Sequence, residues 1–369
     1  MQVNWRLITA AKNSYAALYA ACETEGYILR PVEAPEGDVT CYSLNSISAP
    51  LYEEEIREAA CTTIVGGPHA AACPARVAEY ADYVVTGEGE YALPRLLRAI
   101  ESGMTGAVPG VMHRRSPFCP VDHTVFLPAY PPFSRMKGYI EISRGCPFGC
   151  AYCQTPSIFG RRMRHRPVDQ IARFAAHYRD ARFVTPNALA YGSDGITPRL
   201  DRVERLFRAL QNNEIYFGTF PSEVRPEFVT DESLDLITRY CSNKRLHFGA
   251  QSGSDRVLRS LRRGHTVADV RRAIDAVRDH GMMPVVDFIV GLPCEEDGDQ
   301  LATLDLVHEV VRRGRAHVHL FIPLPGTPMA GMRPRPLLPE VQRDLGRLAL
   351  AGRISGSWSD PGRRFYSNR

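Results

Sequence analysis

Short apolar runs separated by longer amphipathic stretches make up most of this chain. In the first hundred residues, runs such as VNWRLITA, VTCYSLNS and YVVTGEGE are separated by stretches with helical periodicity, such as SYAALYAACETE. Strand-like runs that alternate with helical ones are typical of βαβ units, so they predict a Rossmann-like parallel sheet. Ligands of such sheets bind at the carboxyl ends of the strands, where the Gly66-Gly67 turn lies.

A second alternating series begins at Gly138. Its apolar runs are YIEIS, RFVTP, IYFGTF, LHFGAQ, PVVDFIV and HVHLFI, with amphipathic stretches between them. Six strand–helix repeats predict a partial (β/α)6 barrel of the TIM type, which leaves a lateral opening for a large substrate. Between the two series the chain is rich in Gly and Pro, and we expect no regular structure there.

The predicted organisation therefore has two domains and two connecting or terminal segments. We expect a Rossmann-like domain, a linker, a partial barrel, and a short C-terminal helix with a polar tail, at residues 1–102, 103–137, 138–332 and 333–369. A length of 369 residues exceeds what one hydrophobic core usually covers, which agrees with two domains.

Charge and hydropathy exclude some classes of protein. A net charge of +4 gives no argument for nucleic-acid binding. No apolar run approaches the roughly 18 residues of a transmembrane helix, and the N-terminus has no signal-peptide pattern. We expect a cytoplasmic protein that neither crosses a membrane nor binds nucleic acid.

Three of the ten cysteines lie close together in the stretch ISRGCPFGCAYCQTP, at Cys146, Cys150 and Cys153. Structural zinc takes four N or S ligands, and this loop supplies three. A [4Fe–4S] cluster held by three cysteines leaves one iron open to a substrate or cofactor. The remaining seven cysteines have no ligand-like spacing and are predicted to be small buried side chains: Cys22, Cys41, Cys61, Cys73, Cys119, Cys241 and Cys294.

The C-x3-C-x2-C pattern, with Tyr152 before its third cysteine and a barrel strand before its first, resembles the radical S-adenosylmethionine (SAM) superfamily. The resemblance extends over residues 138–330. It implies that Cys146, Cys150 and Cys153 hold the cluster and that SAM chelates the open iron through its amino and carboxylate groups. One electron then cleaves SAM, and the 5′-deoxyadenosyl radical abstracts hydrogen from the substrate.

The same resemblance implies SAM contacts at the ends of the next strands. FVTPNALAYGSDG follows the second strand and offers Asn187 or Tyr191 for the SAM amino group, although it lacks the common Gly-Gly-Glu. FPSEVRPE offers Glu223 for the SAM ammonium or ribose and Arg225 for its carboxylate. A structural salt bridge across the barrel mouth is the alternative for this pair.

FGAQSGSDRVLRSLRRGHT, at the fourth strand, resembles a sequence widespread in radical SAM enzymes. It implies that Gln251 and Ser252 meet the SAM ribose or carboxylate and that Gly253 allows close backbone approach. VVDFIVGLPCEEDGD resembles the fifth-strand motif whose backbone lies along adenine, with Asp287 and Glu295 left without a role.

TIVGGPHAAACPARVAEYADYVVTGEGE resembles cobalamin-binding domains that precede radical SAM barrels. The resemblance implies that Ser43 or Ser46 contacts the cobalamin nucleotide tail and that the turn at Gly66 and Gly67 admits it. The chain lacks the Asp-x-His-x-x-Gly loop of the fuller motif, so cobalamin would bind without that histidine. A Rossmann-like domain that binds no cofactor is the alternative, and His69 is expected to lie at a helix start rather than on a metal.

Two histidines on the last predicted strand, His317 and His319, share one face of it. That face is either the barrel interior, near the substrate, or the exterior under the helices. The sequence leaves both possibilities open.

The resemblance as a whole implies a cobalamin-dependent radical SAM C-methyltransferase that methylates an unactivated sp3 carbon. One SAM molecule would give methylcobalamin, and a second would yield the radical that activates the substrate. The compact layout looks like archaeal radical SAM proteins that modify methyl-coenzyme M reductase after translation, among them a glutamine Cα-methyltransferase. The expected partners are a peptide or protein substrate and a reductase or ferredoxin that donates electrons.

Two other function classes remain open: a radical SAM enzyme of another reaction class, and a non-catalytic sensor. Methylthiotransferases share much of the fourth-strand sequence. Their pattern also includes three cysteines in the N-terminal domain, which hold a second cluster, and an RNA-binding appendage. We expect neither feature here. Cobalamin-assisted cyclases and rearrangement enzymes are not separable from methyltransferases by sequence. A non-catalytic cobalamin or iron sensor would have no reason to place polar residues at successive strand ends.

Overall fold

The computed structural model describes residues 1–104, 108–114, 118–122 and 124–359, and in it the chain forms two compact units. The first comprises Met1–Ile140 with Ser157–Phe159, and the second comprises Glu141–Pro156 with Gly160–Arg369. Within the described ranges, none of the helices combines the length and apolar character that crossing a bilayer requires.

The first unit is a sheet with helices between its strands. Its elements are β1 (Val3–Arg6), α1 (Lys12–Thr24), β2 (Leu29–Val32), β3 (Val39–Ser43), α2 (Ala49–Glu58), β4 (Thr62–Gly66), α3 (Pro68–Ala72), α4 (Pro74–Val77), β5 (Tyr83–Val85), α5 (Gly89–Glu101) and β6 (Val111–His113). The strand order is β2-β1-β3-β4-β5-β6, and all neighbours are parallel except β5 and β6. The predicted parallel α/β architecture is therefore confirmed, with a switch point between β1 and β3.

The prediction that residues 103–137 lack regular structure is wrong for the part that forms β6. This strand, Val111–His113, pairs antiparallel with β5 and extends the first sheet. It is three residues long and stands between glycine and proline, so its stability comes from pairing with a distant strand rather than from local preference.

The second unit contains the remaining elements. These are β7 (Ile140–Glu141), whose first residue belongs to the first unit, β8 (Ser143–Arg144), α6 (Thr155–Phe159), whose last three residues belong to the first unit, β9 (Arg164–His165), α7 (Val168–Ala175), β10 (Asp180–Val184), α8 (Leu200–Ala209), β11 (Glu214–Tyr216), α9 (Asp231–Tyr240), β12 (Arg245–Gln251), α10 (Asp255–Ser260), α11 (Val267–Asp279), β13 (Met283–Val290), α12 (Asp297–Arg313), β14 (Arg315–Leu320), α13 (Pro339–Leu350) and β15 (Ile354–Ser355).

The barrel wall consists of two sheets of parallel strands, in the orders β11-β10-β7 and β12-β13-β14-β15. Backbone hydrogen bonds join them, because the His247 N–H donates to the Gly218 carbonyl at 2.8 Å and the Val224 N–H donates to the His247 carbonyl at 2.9 Å. All six predicted strands are present. A seventh, β15, pairs parallel with β14 inside the segment predicted to be a tail.

Local sequence explains where the helices of this unit begin. Thr266 caps α11 with a capping box, in which its hydroxyl accepts from the Asp269 N–H and the Asp269 carboxylate accepts from the Thr266 N–H. Thr230 and Ser233 form the same arrangement at α9. Along the strands, alternate apolar residues are fully buried, which sets the register of the barrel wall.

Leu246→Ala, in β12, should destabilise the second unit by about 2–5 kcal/mol, because the side chain is fully buried and its removal leaves a cavity. Leu350→Ala, at the end of α13, removes the same atoms from a side chain that is 93% exposed and should change stability by less than about 0.5 kcal/mol. Urea unfolding followed by circular dichroism measures both. Equal stabilities of the two variants would contradict the assigned register of β12.

Candidate functional site

The cysteine loop directly follows β8 at the start of the barrel. It turns at Gly145, where φ is +88° and a Cβ would lie 2.2 Å from the Arg162 carbonyl oxygen, so only glycine fits. The Cys146 N–H donates to the Gly160 carbonyl at 3.1 Å, and the Cys153 N–H donates to the Cys150 carbonyl at 3.1 Å. Backbone hydrogen bonds thus hold two of the three predicted cluster ligands on a short loop.

The thiols of this loop affect one another electrostatically. Burial raises the pKa of Cys146, the Phe148 N–H opposes that effect, and Cys153 and Cys150 add to the rise. No three His, Cys, Asp or Glu side chains among the described ranges converge closely enough to share one metal ion.

A segment after α10, residues 261–264, runs along the cysteine loop. The Ala151 N–H donates to the Leu261 carbonyl at 2.9 Å, and the Cys150 thiol lies 3.9 Å from the Arg262 carbonyl oxygen. Arg263 directs Nη1 to within 3.9 Å of Cys150 Sγ, while its Nη2 donates to the Gly249 carbonyl at 3.1 Å. Arg263 therefore connects the predicted cluster loop with the wall strand β12.

Sequence reasoning missed Arg263, although it lies in the quoted SLRRGHT stretch. Burial opposes its positive charge, but Tyr152 and Cys150 outweigh that effect and raise the pKa of Arg263. The left-handed backbone of Arg262, with φ of +54°, turns the chain at this point, and sequence gave no sign of it.

Tyr152 packs against a small apolar cluster beneath the loop, which includes Ala151, Val257 and Leu261. Burial raises the pKa of Tyr152, and the positive charge of Arg263 opposes this rise. Tyr152 thus packs beneath the cysteine loop and supports it. Its predicted contact with a bound cofactor stays a prediction.

Arg225 is buried, and its charge is satisfied inside the protein. Its guanidinium lies 3.5 Å from the centre of the Phe148 ring, and its Nε donates to Glu227 Oε1 at 2.6 Å. It also donates to the Arg263 carbonyl. The salt bridge considered as the alternative for Arg225 is therefore present, but with Glu227 rather than Glu223.

Glu223 and Asp287 are half-buried carboxylates that affect each other. Burial raises the pKa of Asp287 to about 8, with Glu223 as the second cause and Arg263 opposing it. Burial likewise raises the pKa of Glu223, again opposed by Arg263. The Oδ2 atom of Asp287 is buried without a hydrogen-bond partner in the described part of the chain.

Asn187 lies next to Glu223, because the Ala188 N–H donates to the Glu223 carbonyl at 3.0 Å. Asn187 is 4% exposed, and neither side-chain amide atom has a hydrogen-bond partner among the described residues. Such a buried, unpaired amide is typical of a position that a ligand completes. Tyr191 instead donates its hydroxyl to the Arg166 carbonyl at 2.7 Å, a bond within the protein.

Gln251 and Ser252 point in different directions. Gln251 adopts a left-handed φ of +68°, and its side chain lies over Gly249. The Ser252 hydroxyl lies 3.2 Å from Thr303 Oγ1 on α12, so it faces that helix rather than the barrel interior. The prediction that Ser252 points inward is wrong because the turn after β12 rotates its side chain outward.

Gly253 does allow close backbone approach, but the approach is to α12 rather than to SAM. A Cβ at Gly253 would lie 2.3 Å from the Ala302 carbonyl oxygen. Glu295 is also buried, and burial raises its pKa to about 7. Its Oε2 accepts the Gly291 N–H at 3.1 Å, so it stabilises the turn after β13.

In the first unit, Ser43 and the glycine turn lie together at the ends of β3 and β4. Gly67 has φ of +93°, and a Cβ there would lie 2.8 Å from Leu44 N and O and 2.9 Å from Ser43 Oγ. At Gly66 a Cβ would meet its nearest neighbour, Val85, at 3.7 Å. The backbone of Leu44 therefore fills the space that a Cβ at Gly67 would take, and the role of the turn in admitting the nucleotide tail stays a prediction.

Ser46 and His69 lie beside this turn. Ser46 is buried, and its Oγ is 3.2 Å from Nδ1 of His69, whose backbone N–H donates to the Leu44 carbonyl at 3.0 Å. His69 is the second residue of α3, which agrees with the predicted position at a helix start.

The residues present fit a cluster and a corrinoid to different degrees. Three cysteines lie on one loop, and the Arg263 guanidinium beside Cys150 would offset part of the negative charge of thiolates that hold an iron–sulfur cluster. For a corrinoid, Leu7 and Ile47 follow β1 and β3 at the switch point and are 43% and 49% exposed, with Leu51 nearby at 66%. Ligands of open α/β sheets bind at such a switch point, and exposed apolar side chains there would suit an apolar macrocycle.

Comparison with known proteins identifies the barrel region. Residues 140–307 match the model of the radical SAM superfamily. A tRNA-2-methylthio-N(6)-dimethylallyladenosine synthase of Corynebacterium efficiens is 33% identical over 211 residues, which are 53% of this chain and 40% of that protein. A synthase of the same name from Geobacter sulfurreducens is 28% identical over 285 residues, covering 72% of this chain and 59% of that protein. The chain thus spans about half the length of these curated relatives.

Two solved structures share the fold of most of the chain. The radical SAM methyltransferase TsrM of Kitasatospora setae, solved with cobalamin and a [4Fe-4S] cluster, is 17% identical with a TM-score of 0.68, covering 91% of this chain and 76% of that one. The cobalamin-dependent SAM radical enzyme OxsB, solved with aqua-cobalamin and SAM, is 15% identical with a TM-score of 0.66, covering all of this chain and 60% of that one. At these identities the likeness establishes the fold.

Gly67→Ala should destabilise the first unit by about 1–3 kcal/mol, because a Cβ there meets the Leu44 backbone at a left-handed φ. Gly66→Ala is the matched control and should change stability by less than about 1 kcal/mol, since its Cβ makes only ordinary contacts. Thermal unfolding measures both. A stable Gly67→Ala variant that fails to bind cobalamin would contradict a purely structural role for Gly67 and support its role in admitting the nucleotide tail.

Proposed function

We propose that this chain is a cobalamin-dependent radical SAM C-methyltransferase that methylates an unactivated sp3 carbon. Residues 140–307 match the radical SAM superfamily model, which supports the radical chemistry. The observation that carries the proposal is the fold shared with TsrM and OxsB, which extends through both α/β units. A fold similarity limited to the barrel would give no reason to invoke cobalamin. An unactivated carbon offers no nucleophile for ordinary SAM chemistry, and a radical supplies the missing reactivity.

Named residues would perform the binding steps. Cys146, Cys150 and Cys153 would hold the cluster, and Leu7 and Ile47 would lie under a corrinoid. When bound, the cluster supplies the electron that cleaves SAM and the corrinoid supplies a methyl carrier. Arg263 places a positive charge beside Cys150 and so offsets the negative charge of the thiolates. Asn187 offers a donor and an acceptor for the SAM amino acid moiety.

A methylthiotransferase is the second candidate, because the curated relatives with 28–33% identity are named tRNA-2-methylthio-N(6)-dimethylallyladenosine synthases. Their names refer to a methylthio-modified adenosine of tRNA. In this chain Cys22 and Cys41 pack in the hydrophobic core of the first unit, where burial raises the pKa of both thiols. Packed, protonated thiols are poor cluster ligands, which favours the methyltransferase.

Substrate and partners remain predictions. A peptide or protein substrate, including the glutamine of methyl-coenzyme M reductase, and a reductase or ferredoxin as electron donor are compatible with an open barrel. Cobalamin-assisted cyclisation or rearrangement would use the same cofactors and residues.

The products that the protein forms from SAM test the proposal without a known substrate. Anaerobically reconstituted protein, loaded with hydroxocobalamin and given a reductant, should release 5′-deoxyadenosine and also S-adenosylhomocysteine. Cys150→Ala should lose 5′-deoxyadenosine formation and keep bound cobalamin, because the thiol and the first unit are separate sites. Cys241→Ala, a half-buried cysteine outside the loop, is the matched control and should keep both products.

Two outcomes of this experiment would contradict the proposal. S-adenosylhomocysteine that forms without cobalamin and increases with added sulfide would indicate a methylthiotransferase. Normal 5′-deoxyadenosine formation by Cys150→Ala would remove the cysteine loop from the reaction. Liquid chromatography with mass spectrometry measures both products.

A further inference from the structure

A groove lies on the outside of the barrel wall, beside the end of β14. In this strand Ala316 and Val318 are completely buried, and α12 packs against it. Because side chains alternate along a strand, Leu320 shares their outer face, whereas His317 and His319 face the barrel interior. The question that the sequence left open for these two histidines is thus answered in favour of the interior. Leu320 lines the groove, so the groove and the barrel interior lie on opposite sides of the wall.

The lining of this groove comes from three parts of the chain. They are a proline-rich segment, residues 331–337, the start of α13, and Trp358. The volume of the groove is about 1220 Å³, which exceeds the roughly 300–1,000 Å³ of sites that hold drug-sized ligands. Many of the lining side chains are apolar, among them Leu320, Pro323, Met332, Pro334, Pro336 and Leu337. A short stretch of peptide would fill such a space.

Hydrogen bonds hold the proline-rich segment in place. The Gln300 side chain on α12 donates to the Pro336 carbonyl at 3.1 Å and accepts from the Leu338 N–H at 2.9 Å. The Arg335 guanidinium donates to Asp297 Oδ1 at 2.8 Å. This side of the groove is therefore formed before any ligand arrives, which lowers the entropic cost of binding.

Trp358 forms another side of the groove, where the strand before it holds it. The Leu320 N–H donates to the Ser357 carbonyl at 3.2 Å. A Cβ at Gly346 of α13 would lie 3.9 Å from Cη2 of the Trp358 indole. The indole is half-buried, and its N–H has no acceptor among the described residues. Trp358 thus offers a ring face to an apolar side chain and a donor to an acceptor.

The polar groups that are free in this groove include two guanidiniums. Arg333 and Arg343 line it and are exposed, and neither guanidinium has an ion pair or a hydrogen bond within the described ranges. No Asp or Glu among the described residues lines the groove, and the nearby Asp297 already pairs with Arg335. Glu340, in the first turn of α13, is not part of the lining. An occupant with carboxylates would supply the acceptors and the negative charge that the arginines lack.

An acidic peptide suits this lining better than a nucleic acid or the end of this chain. A nucleic acid needs positive charges that follow its backbone, and the apolar side chains here would gain nothing from a row of phosphates. The residues after Ser359 include Arg363, Arg364 and Arg369 against one aspartate, so their charge has the same sign as that of the groove. Charge and apolar lining together thus favour a peptide that carries carboxylates and an apolar side chain.

We propose that this groove is a docking site for an acidic segment of the protein or peptide on which the chain acts. Carboxylates of the segment bind Arg333 and Arg343, and an apolar side chain packs against Trp358. The inference deepens the proposed function and rests on it, because it takes the substrate to be a peptide. Since the groove lies outside the barrel, it holds a part of the substrate away from the carbon that reacts and raises the local concentration of the reacting part.

Two labelled peptides of equal length test the site with the full-length, cluster-reconstituted protein. One peptide is rich in glutamate and has a central phenylalanine, and the other has glutamine in place of every glutamate. We expect fluorescence anisotropy to give at least about tenfold tighter binding of the acidic peptide at low salt, about 1.4 kcal/mol. The preference should decrease as the salt concentration increases, because salt screens exposed charges.

Substitutions in the groove should reduce this preference. Arg333→Gln and Arg343→Gln should each reduce it by about threefold, as expected for an exposed ion pair. Trp358→Ala should weaken the binding of both peptides, because it removes apolar contact area. Arg347→Gln is the matched control, since Arg347 also lies on α13 but pairs with Asp344 and does not line the groove. It removes the same charge and should keep the preference.

Four results would overturn the proposal. The first is equal affinity of the unmodified protein for the two peptides, and the second is the same loss of preference in Arg347→Gln as in Arg333→Gln. The third is tighter binding of an oligouridylate than of the acidic peptide, reduced by Arg333→Gln, which would indicate a nucleic-acid site. The fourth is binding of the acidic peptide only after residues 360–369 are removed, which would make the end of the chain the occupant. Circular dichroism checks the folding of each variant.

The proposed function and the docking site can fail separately. A protein that forms neither 5′-deoxyadenosine nor S-adenosylhomocysteine but prefers the acidic peptide retains the docking site and loses the methyltransferase proposal. A protein that forms both products but does not distinguish the peptides retains the function and loses the docking site.

Discussion

The position of Arg263 connects the parts of the second unit that matter for function. One side of its guanidinium approaches Cys150, and the other donates to the wall strand β12 at Gly249. A positive charge held there favours thiolates on the cysteine loop and compensates part of the negative charge of Glu223 and Asp287. Loss of this arginine would remove the charge that opposes the rise in the pKa values of Glu223 and Asp287, so both the cysteine loop and these two carboxyl groups depend on it.

Sequence patterns predicted the elements better than the directions of side chains. The six barrel strands and the parallel first sheet follow from periodicity, which reports local burial. The strands β6 and β15 were missed because each is two or three residues long and exists through pairing with a strand far away in sequence. Short strands of this kind have no periodic pattern of their own.

In the candidate site too, features set by neighbouring residues were predicted from the sequence, and features set by distant contacts were not. The cysteine loop was evident from spacing, because three ligands within eight residues must share a loop. The outward direction of Ser252 depends on the turn after β12, which spacing does not reveal. Arg263 gains its importance from contacts with residues more than one hundred positions earlier, and the Gly67 turn is occupied by a neighbouring strand end.

The proposed function requires that one cluster and one corrinoid bind to this chain. Iron and cobalamin measured together, in protein that has been reconstituted without oxygen, incubated with hydroxocobalamin and desalted, test this most directly. We expect about four irons and about one cobalamin per chain, as one [4Fe–4S] cluster and one corrinoid require. About eight irons without cobalamin would contradict it and favour a methylthiotransferase, and four irons without cobalamin would leave a radical SAM protein whose first unit has another role.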